Sequence, residues 1–344
     1  MKKSIIALAV AAAAVATSAN AAEIYNADGT TASIGGRVEA RIQLQDSEAN
    51  DMTRARLNFV GHQQVNDDLY GLAKFEQEWN SNTNSGEAND GDTDWTTRYI
   101  YAGIGTSAGE ITYGKQDGAL VKLTNFTDIM STWGKEASVN SDASGDDAIS
   151  LADRTDNYIA YNADFDALSI SAGYRFADGS NSSDGDSRTG NDQDGYALAA
   201  TYAFGDTGVV LGGGYAVQNE NAQAMVTSSF TYENLYLAAL YTHIDYDDHG
   251  VENYDGYELA AAYTIDKTKL IATYNRGDRD RADDTANTIS VEANYYFTPS
   301  FNGYVGYRWN LLNGDEVSSS TDDGVTTDNT AAQDQAMAGL LYTF

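Results

Sequence analysis

The chain has no cysteine, a single proline (Pro299), only three histidines, and 20 basic residues against 51 acidic ones. Without cysteine, neither a disulfide-stapled exported scaffold nor a thiolate metal site can form. The few histidines leave little acid–base machinery: His62 and His243 fall in strand-like segments, His249 falls in an acidic loop, and no G-x-S-x-G nucleophile motif accompanies them. The chain is therefore read as a non-enzyme. Its formal charge of −31 excludes nucleic acid as a partner, because phosphate binding needs an excess of Lys and Arg, and it attracts cations instead. After residue 21 no apolar run approaches the roughly 18 residues of a transmembrane helix, so a helical membrane protein is excluded as well.

The first residues form a separate object. Lys2 and Lys3, the run from Ser4 to Val15, and Ala19-Asn20-Ala21 have the charged, apolar and small-residue parts of a secretory signal peptide. The apolar core is too short for a membrane anchor. The expected division is a removed leader over 1–21 and one domain over 22–344. Losing two lysines leaves 18 basic against 51 acidic residues, a mature charge of −33.

Against these absences stand 24 tyrosines and 32 glycines. Tyrosine suits strands and membrane interfaces, and glycine suits turns. The dominant period is two. Ile34, Val38, Ala40 and Ile42 share one face, and Arg37, Glu39, Arg41 and Gln43 the other. Ala55, Leu57 and Phe59 alternate with Arg54, Arg56 and Asn58. Ile289, Val291, Ala293, Tyr295 and Phe297 alternate with Ser290, Glu292, Asn294 and Tyr296. Val305, Tyr307 and Trp309 alternate with Tyr304, Arg308 and Asn310.

Strands of about ten residues can be placed from starts near 32, 52, 69, 95, 109, 156, 168, 194, 208, 224, 235, 254, 268, 287, 301 and 333. Those near Asn157 and Ala224 are the weakest, and counts of 14, 16 or 18 are all compatible with the pattern. Links after even strands are tight, as in Val65-Asn66-Asp67-Asp68, Glu233-Asn234 and Asp266-Lys267. Links after odd strands are mostly long and polar, as in Asn80 to Asp94, Gln116 to Thr155, Ala177 to Asp192 and Asn313 to Gln333. Short turns at one rim and long loops at the other distinguish a membrane barrel from a soluble sandwich, the short side being periplasmic. Only a closed barrel satisfies strand backbone in lipid. The expected fold is all-β: a transmembrane antiparallel barrel of about 16 strands in the outer membrane of a Gram-negative bacterium. The chain ends on Leu340, Tyr342 and Phe344 along one face, an amphipathic closing strand whose terminal aromatic resembles the signal read by the barrel-assembly machinery.

These residues resemble the general trimeric porins of the Gram-negative outer membrane over the whole mature length. The carriers are Ala22-Glu23-Ile24-Tyr25-Asn26-Ala27-Asp28-Gly29, Met52-Thr53-Arg54-Ala55-Arg56-Leu57-Asn58-Phe59-Val60-Gly61, Thr97 to Ile104, Ile111-Thr112-Tyr113-Gly114-Lys115 and Phe344. The resemblance implies passive diffusion of small hydrophilic solutes, a homotrimer latched by the second long loop, and a third loop folded inward to narrow the pore. That loop would be Gln116 to Thr155, carrying Thr127-Asp128-Ile129-Met130 and Trp133-Gly134. By position, the resemblance puts Arg37, Arg56, Arg98 and Arg154 on the basic side of the constriction and Asp128 on the acidic side. Thr132 replaces a second acid and Lys135 a glycine, so either Glu136 stands as the substitute acid or the acidic half of the constriction is weaker.

By the period-two pattern, Arg37, Arg56 and Arg98 sit on the polar register. In a water-filled lumen they escape the cost of burial in a dry core. Facing charges about 10 Å apart contribute on the order of 1 kcal/mol per pair, enough to orient a solute without holding it. The acidic loops should enrich cations at the mouth. No cofactor is called for, although Asp90, Asp92 and Asp94, or Asp322, Asp323 and Asp328, could hold Ca²⁺ or Mg²⁺ against lipopolysaccharide phosphates, beside the plainer reading of a solvated surface. Asp184-Gly185-Asp186 lacks calcium-loop spacing, and Arg276-Gly277-Asp278 is an adhesion tripeptide expected in an outer loop. The alternative functions are a substrate-specific channel, for which only Tyr296 and Tyr304 are expected to face inward, and a surface receptor or adhesin on the same barrel.

Overall fold

The computed structural model describes residues 21–81, 94–140, 149–177, 193–247, 252–280, 284–312 and 333–344, with the short pieces 321–322 and 325–326. Strand β1 (Ala22–Ala27) is followed by β2 (Thr30–Gln45), the short β3 (Glu48–Asp51), β4 (Arg54–Gln64), β5 (Tyr70–Asn80), β6 (Asp94–Thr106) and β7 (Gly109–Asp117). A long connection leads to β8 (Arg154–Phe165), β9 (Leu168–Arg175), β10 (Gly195–Ala203), β11 (Val209–Gln218), β12 (Asn221–Tyr232) and β13 (Leu235–Asp245). Then come β14 (Tyr254–Ile265), β15 (Thr268–Arg279), β16 (Ala286–Thr298), β17 (Phe301–Asn310), the two-residue strands β18 (Thr321–Asp322) and β19 (Val325–Thr326), and β20 (Gln335–Thr343).

Strands β2, β4 to β17 and β20 pair antiparallel in chain order, and β20 pairs back onto β2, so these sixteen strands close a barrel. Closure leaves no edge with unpaired backbone groups, which is what lipid demands. Both weak segments are full strands, β8 and β12. The extra strand β1 continues the line of β20 along β2: Phe344 exchanges backbone bonds with Gly36 at 2.8 and 2.9 Å, and Ala22 pairs with Ile34. Most of the leader and the second long loop (residues 82–93) lie outside the described residues, as do His249 and Asp184 to Asp186.

Side chains follow the pleat. Val38, Ile42, Leu57, Phe59, Val291 and Val305 are exposed on the outer wall, whereas Glu39, Asn58, Ser290 and Glu292 are buried on the inner side. One sequence expectation needs correction, and another holds for a different reason. Arg276-Gly277-Asp278 lies within β15, its glycine paired with Gly256 of β14, and not in a loop. Arg98 shares parity with Ile100 and Ile104, which are 55% and 54% exposed on the outer wall, so a regular strand would send it outward. A bulge in β6 prevents this: Glu76 pairs with Tyr99 and Gln77 with Thr97, leaving Arg98 unopposed and turned into the lumen.

The largest core lies between the wall and the third loop, residues 118–153. Its short helix α1 (Val121–Thr124) and the preceding Leu120 bury Leu120 and Leu123 against Ala197, Ala199, Ala216 and Met225 of β10 to β12. Fully burying two such leucines is worth about 2 kcal/mol each. The wall makes room with glycine: a Cβ on Gly214 would come within 2.6 Å of Leu120 Cδ2, and one on Gly256 within 1.8 Å of the Ala137 carbonyl oxygen. Phe126 packs farther round, on Ala238 and Ala260.

Candidate functional site, a constriction between wall and loop

The third loop hugs the wall from β9, where Lys122 donates to Ser169 at 2.6 Å, round to β17, β20 and the end of β2, where Arg41 donates to the Ser131 carbonyl oxygen at 3.3 Å; the arc of β4 to β6 is left open. Going out, it touches β10 to β12 through α1, β14 through Thr127, β16 through Ser131 and Thr132, and β20 through Trp133. Returning, it touches β17 through Glu136, β14 through Ala137 and β11 through Ser150. The aperture is therefore bounded by the loop on one side and by β2, β4 to β6 and β8 on the other.

That open arc carries the arginines. Arg37 and Arg56 are direct cross-strand partners, and Arg56 faces Glu78 across the next pair. Arg56 is ion-paired with Glu78, Arg54 with Glu39, and Arg37 reaches Glu39 at 3.7 Å. Arg98 lies 2.8 Å from Glu76 and 3.7 Å from Glu78. Lys74 Nζ stands 3.9 Å above the Tyr99 ring, and the Tyr99 hydroxyl donates to Asp117 at 2.9 Å. Four expected basic residues thus share one wall: Arg37, Arg56 and Arg98 beside one another, and Arg154 at the start of β8, its Nη1 3.9 Å from Asp153. Sequence reading missed their counter-acids Glu76 and Glu78. Both lie on an alternating strand, but only register says which arginine each one meets.

On the loop side, Asp128 is exposed to the lumen and folded beneath Gly134, where a Cβ would fall 1.9 Å from its Oδ1. The protein encircling it pushes its carboxyl above the usual range, opposed by Lys135, Arg154 and Arg56. Lumen water tempers that shift. Asp153 departs in the other direction: burial opposes its charge, but Lys135 and Arg154 prevail and hold its carboxyl below the usual range. Lys135 Nζ is 3.4 Å from Asp153 Oδ1.

Glu136 is not brought to this rim. It is turned to the wall and ion-paired with Arg308, and it accepts hydrogen bonds from Thr288 Oγ1 at 2.5 Å and Asn275 Nδ2 at 3.1 Å. Two wall acids that carried no sequence signal beyond alternation tie down the rest of the tip. Glu258 accepts from Ala137 N at 3.0 Å, Ser138 N at 2.7 Å and Thr127 Oγ1. Glu292 accepts from Ser131 N at 2.9 Å, Thr132 N at 2.8 Å and Thr132 Oγ1 at 2.6 Å. This accounts for Thr132: a hydroxyl can donate to Glu292, whereas a carboxylate there would repel it.

More tyrosines turn inward than the two expected. Tyr158 and Tyr304 are buried, and the Tyr236 hydroxyl donates to the Phe126 carbonyl oxygen at 2.8 Å. Tyr304 is held by Glu39, so none of these three is free for a solute. Tyr99 and Tyr101, ring centroids 6.5 Å apart, leave a short aromatic strip beside the arginines. Among the described residues no three acidic or histidine groups gather as a metal site. Asp94 begins β6 and Asp322 lies in β18, and Asp90, Asp92, Asp323 and Asp328 lie outside the described residues.

A closed sixteen-strand barrel with an apolar outside, a charged inside and one loop folded across the lumen defines a porin-type outer-membrane barrel. Comparison with known proteins agrees. A model of the Gram-negative porin family matches residues 7–315, and the chain belongs to that family. It is 44% identical to outer membrane protein U of Vibrio parahaemolyticus, with all of both chains covered. Among solved structures, Salmonella typhi OmpF in complex with daunomycin superposes with a TM-score of 0.75 at 23% identity, covering 94% of this chain and 100% of that one. The trimer form of Vibrio cholerae OmpT gives 0.64 at 18% identity, covering 92% and 100%.

Proposed function

We propose that this porin is a general diffusion channel with a preference for cations, exported by its leader and assembled as a homotrimer. The observation that carries the reading is the aperture itself, an arc of arginines facing a loop edge that bears Asp128 and Asp153. Such an arrangement sorts solutes by size and charge without gripping them. The acidic chain biases the mouth toward cations. The test is to refold the protein in detergent, insert it into a planar bilayer, and record step conductance and reversal potential across a KCl gradient. Ohmic steps closing in three levels, with a cation-selective reversal potential, are expected. A barrel that migrates as folded yet passes no current would end this reading and bring forward the substrate-specific channel or receptor.

Acidification should weaken the cation preference in two stages. Asp128, held above the usual carboxylate value, loses its charge first as pH falls from 7; Asp153, held below it, loses its charge last. The linkage signs are opposite. The stability from Asp153 is present above its unfolded value and lost as pH falls through its depressed folded value, whereas the charged form of Asp128 costs stability until it protonates. Asp128→Asn should abolish the first stage of the reversal-potential titration. If the titration keeps both stages in that variant, Asp128 does not face the ion path.

The trimer reading rests on the outer wall. Exposed tyrosines ring β7 and the strands that follow, among them Tyr113, Tyr196, Tyr215, Tyr257, Tyr295 and Tyr342. The outer faces of β2, β4 and β5 and the inner length of β6 present Val38, Ile42, Leu57, Phe59, Phe75, Ile100 and Ile104 instead. No tyrosine is exposed on this face, and its interfacial rings are Trp79 and Trp95 at one end; an apolar face with so incomplete an aromatic belt fits protein better than lipid. Tyr342 on β20 and Phe344 just beyond it are stacked and exposed, which supports their reading as the signal for the assembly machinery. Divalent cations bridging loop acids to lipopolysaccharide stay part of the proposal.

A further inference from the structure

The acidic rim of the third loop contains a cation of its own. Lys135 follows Gly134 with a left-handed backbone, φ 56°, a conformation that costs any residue but glycine. The next side chain, Glu136, turns to the wall. Lys135 keeps to the lumen edge, 3.4 Å from Asp153, which in turn lies 3.9 Å from Arg154. Asp128 sits under Gly134, and Lys135 is the cation acting most strongly on it. Along the aperture the loop therefore presents Asp128, Lys135 and Asp153, two acids and one base. Anchoring of the loop does not require Lys135, because Thr132, Trp133, Glu136, Ala137 and Ser138 on either side are all bonded to the wall.

We propose that Lys135 is a selectivity-determining residue: its ammonium offsets one of the two acids on the loop and restrains the cation preference of the pore. The proposal rests on the diffusion-channel reading. A unit charge about 10 Å from the ion path should change the cation-to-anion permeability ratio by about threefold at about 0.01 M salt, and by little at about 1 M, where screening acts within about 3 Å.

Reversal potentials of the full refolded chain, taken in KCl gradients at low and high ionic strength, test this. Lys135→Gln should raise the permeability ratio, Lys135→Glu should raise it further, Lys135→Arg should leave it near the parent value, and Asp128→Asn should lower it. Lys135→Gly, which removes charge and backbone strain together, is expected to fold at least as well as the parent and to match Lys135→Gln. A merely structural role would alter closures or conductance alike at both salt levels, with no ordered change in selectivity. Parent-like ratios in Lys135→Gln and Lys135→Glu, with Asp128→Asn still shifted, would overturn the assignment while leaving the channel reading intact. A parent protein that does not conduct would overturn both.

Discussion

Replacing Glu258 and Glu292 together with alanine is expected to detach the third loop and turn a quiet channel into one that closes frequently. Each carboxylate accepts three loop hydrogen bonds, and four of the six donors are backbone N–H groups of Ser131, Thr132, Ala137 and Ser138. An orphaned buried donor costs about 1–3 kcal/mol. Some of that is recovered when water reaches the freed groups, so a net loss of about 3 kcal/mol is a fair expectation; at 1.4 kcal/mol per decade the detached fraction rises about a hundredfold. Single-channel recording should show closures and current noise rising steeply, and limited proteolysis should newly cut within residues 118–153. Asp128→Ala, which leaves every anchor in place, is the comparison and should alter selectivity alone. If the double variant stays as quiet and protease-resistant as the parent, the apolar packing of Leu120, Leu123 and Phe126 is holding the loop by itself.

The second large effect concerns assembly. Leu57→Arg with Ile100→Arg places two charges on the outer face where no tyrosine is exposed, and the trimer should be lost on a semi-native gel. An arginine in the hydrocarbon region costs about 2–4 kcal/mol at mid-depth wherever it is placed on the barrel. Leu270→Arg, on the outer wall of β15, bears that same penalty and should still yield trimers. A trimer that survives the first pair of substitutions would move the subunit contact to another face.

Much of the barrel was legible in the chain. The even-strand turns at Glu233-Asn234 and Asp266-Lys267 fall where the strands end, because a membrane strand has a fixed length and a fixed period of two. Arg37 and Arg56 were legible for the same reason. Arg98 was legible only through the family resemblance: strict parity would send it to lipid, and the bulge opposite Glu76 and Gln77 brings it inside. Glu136 shows the other limit: nothing local says that it meets Arg308, 172 residues away.

Composition, alternation and the rhythm of short and long connections determined a closed, lipid-spanning barrel with a charged interior and a long third connection, because those properties follow from what each residue can expose to hydrocarbon or to water and from the fixed length of a crossing strand. The tertiary structure decided which charges confront one another: Arg56 with Glu78, Glu136 with Arg308, and Lys135 with Asp153. Those pairings depend on strand register and on where a folded loop touches a curved wall, and Coulomb interactions over a few ångströms respond to that geometry, not to distance along the chain.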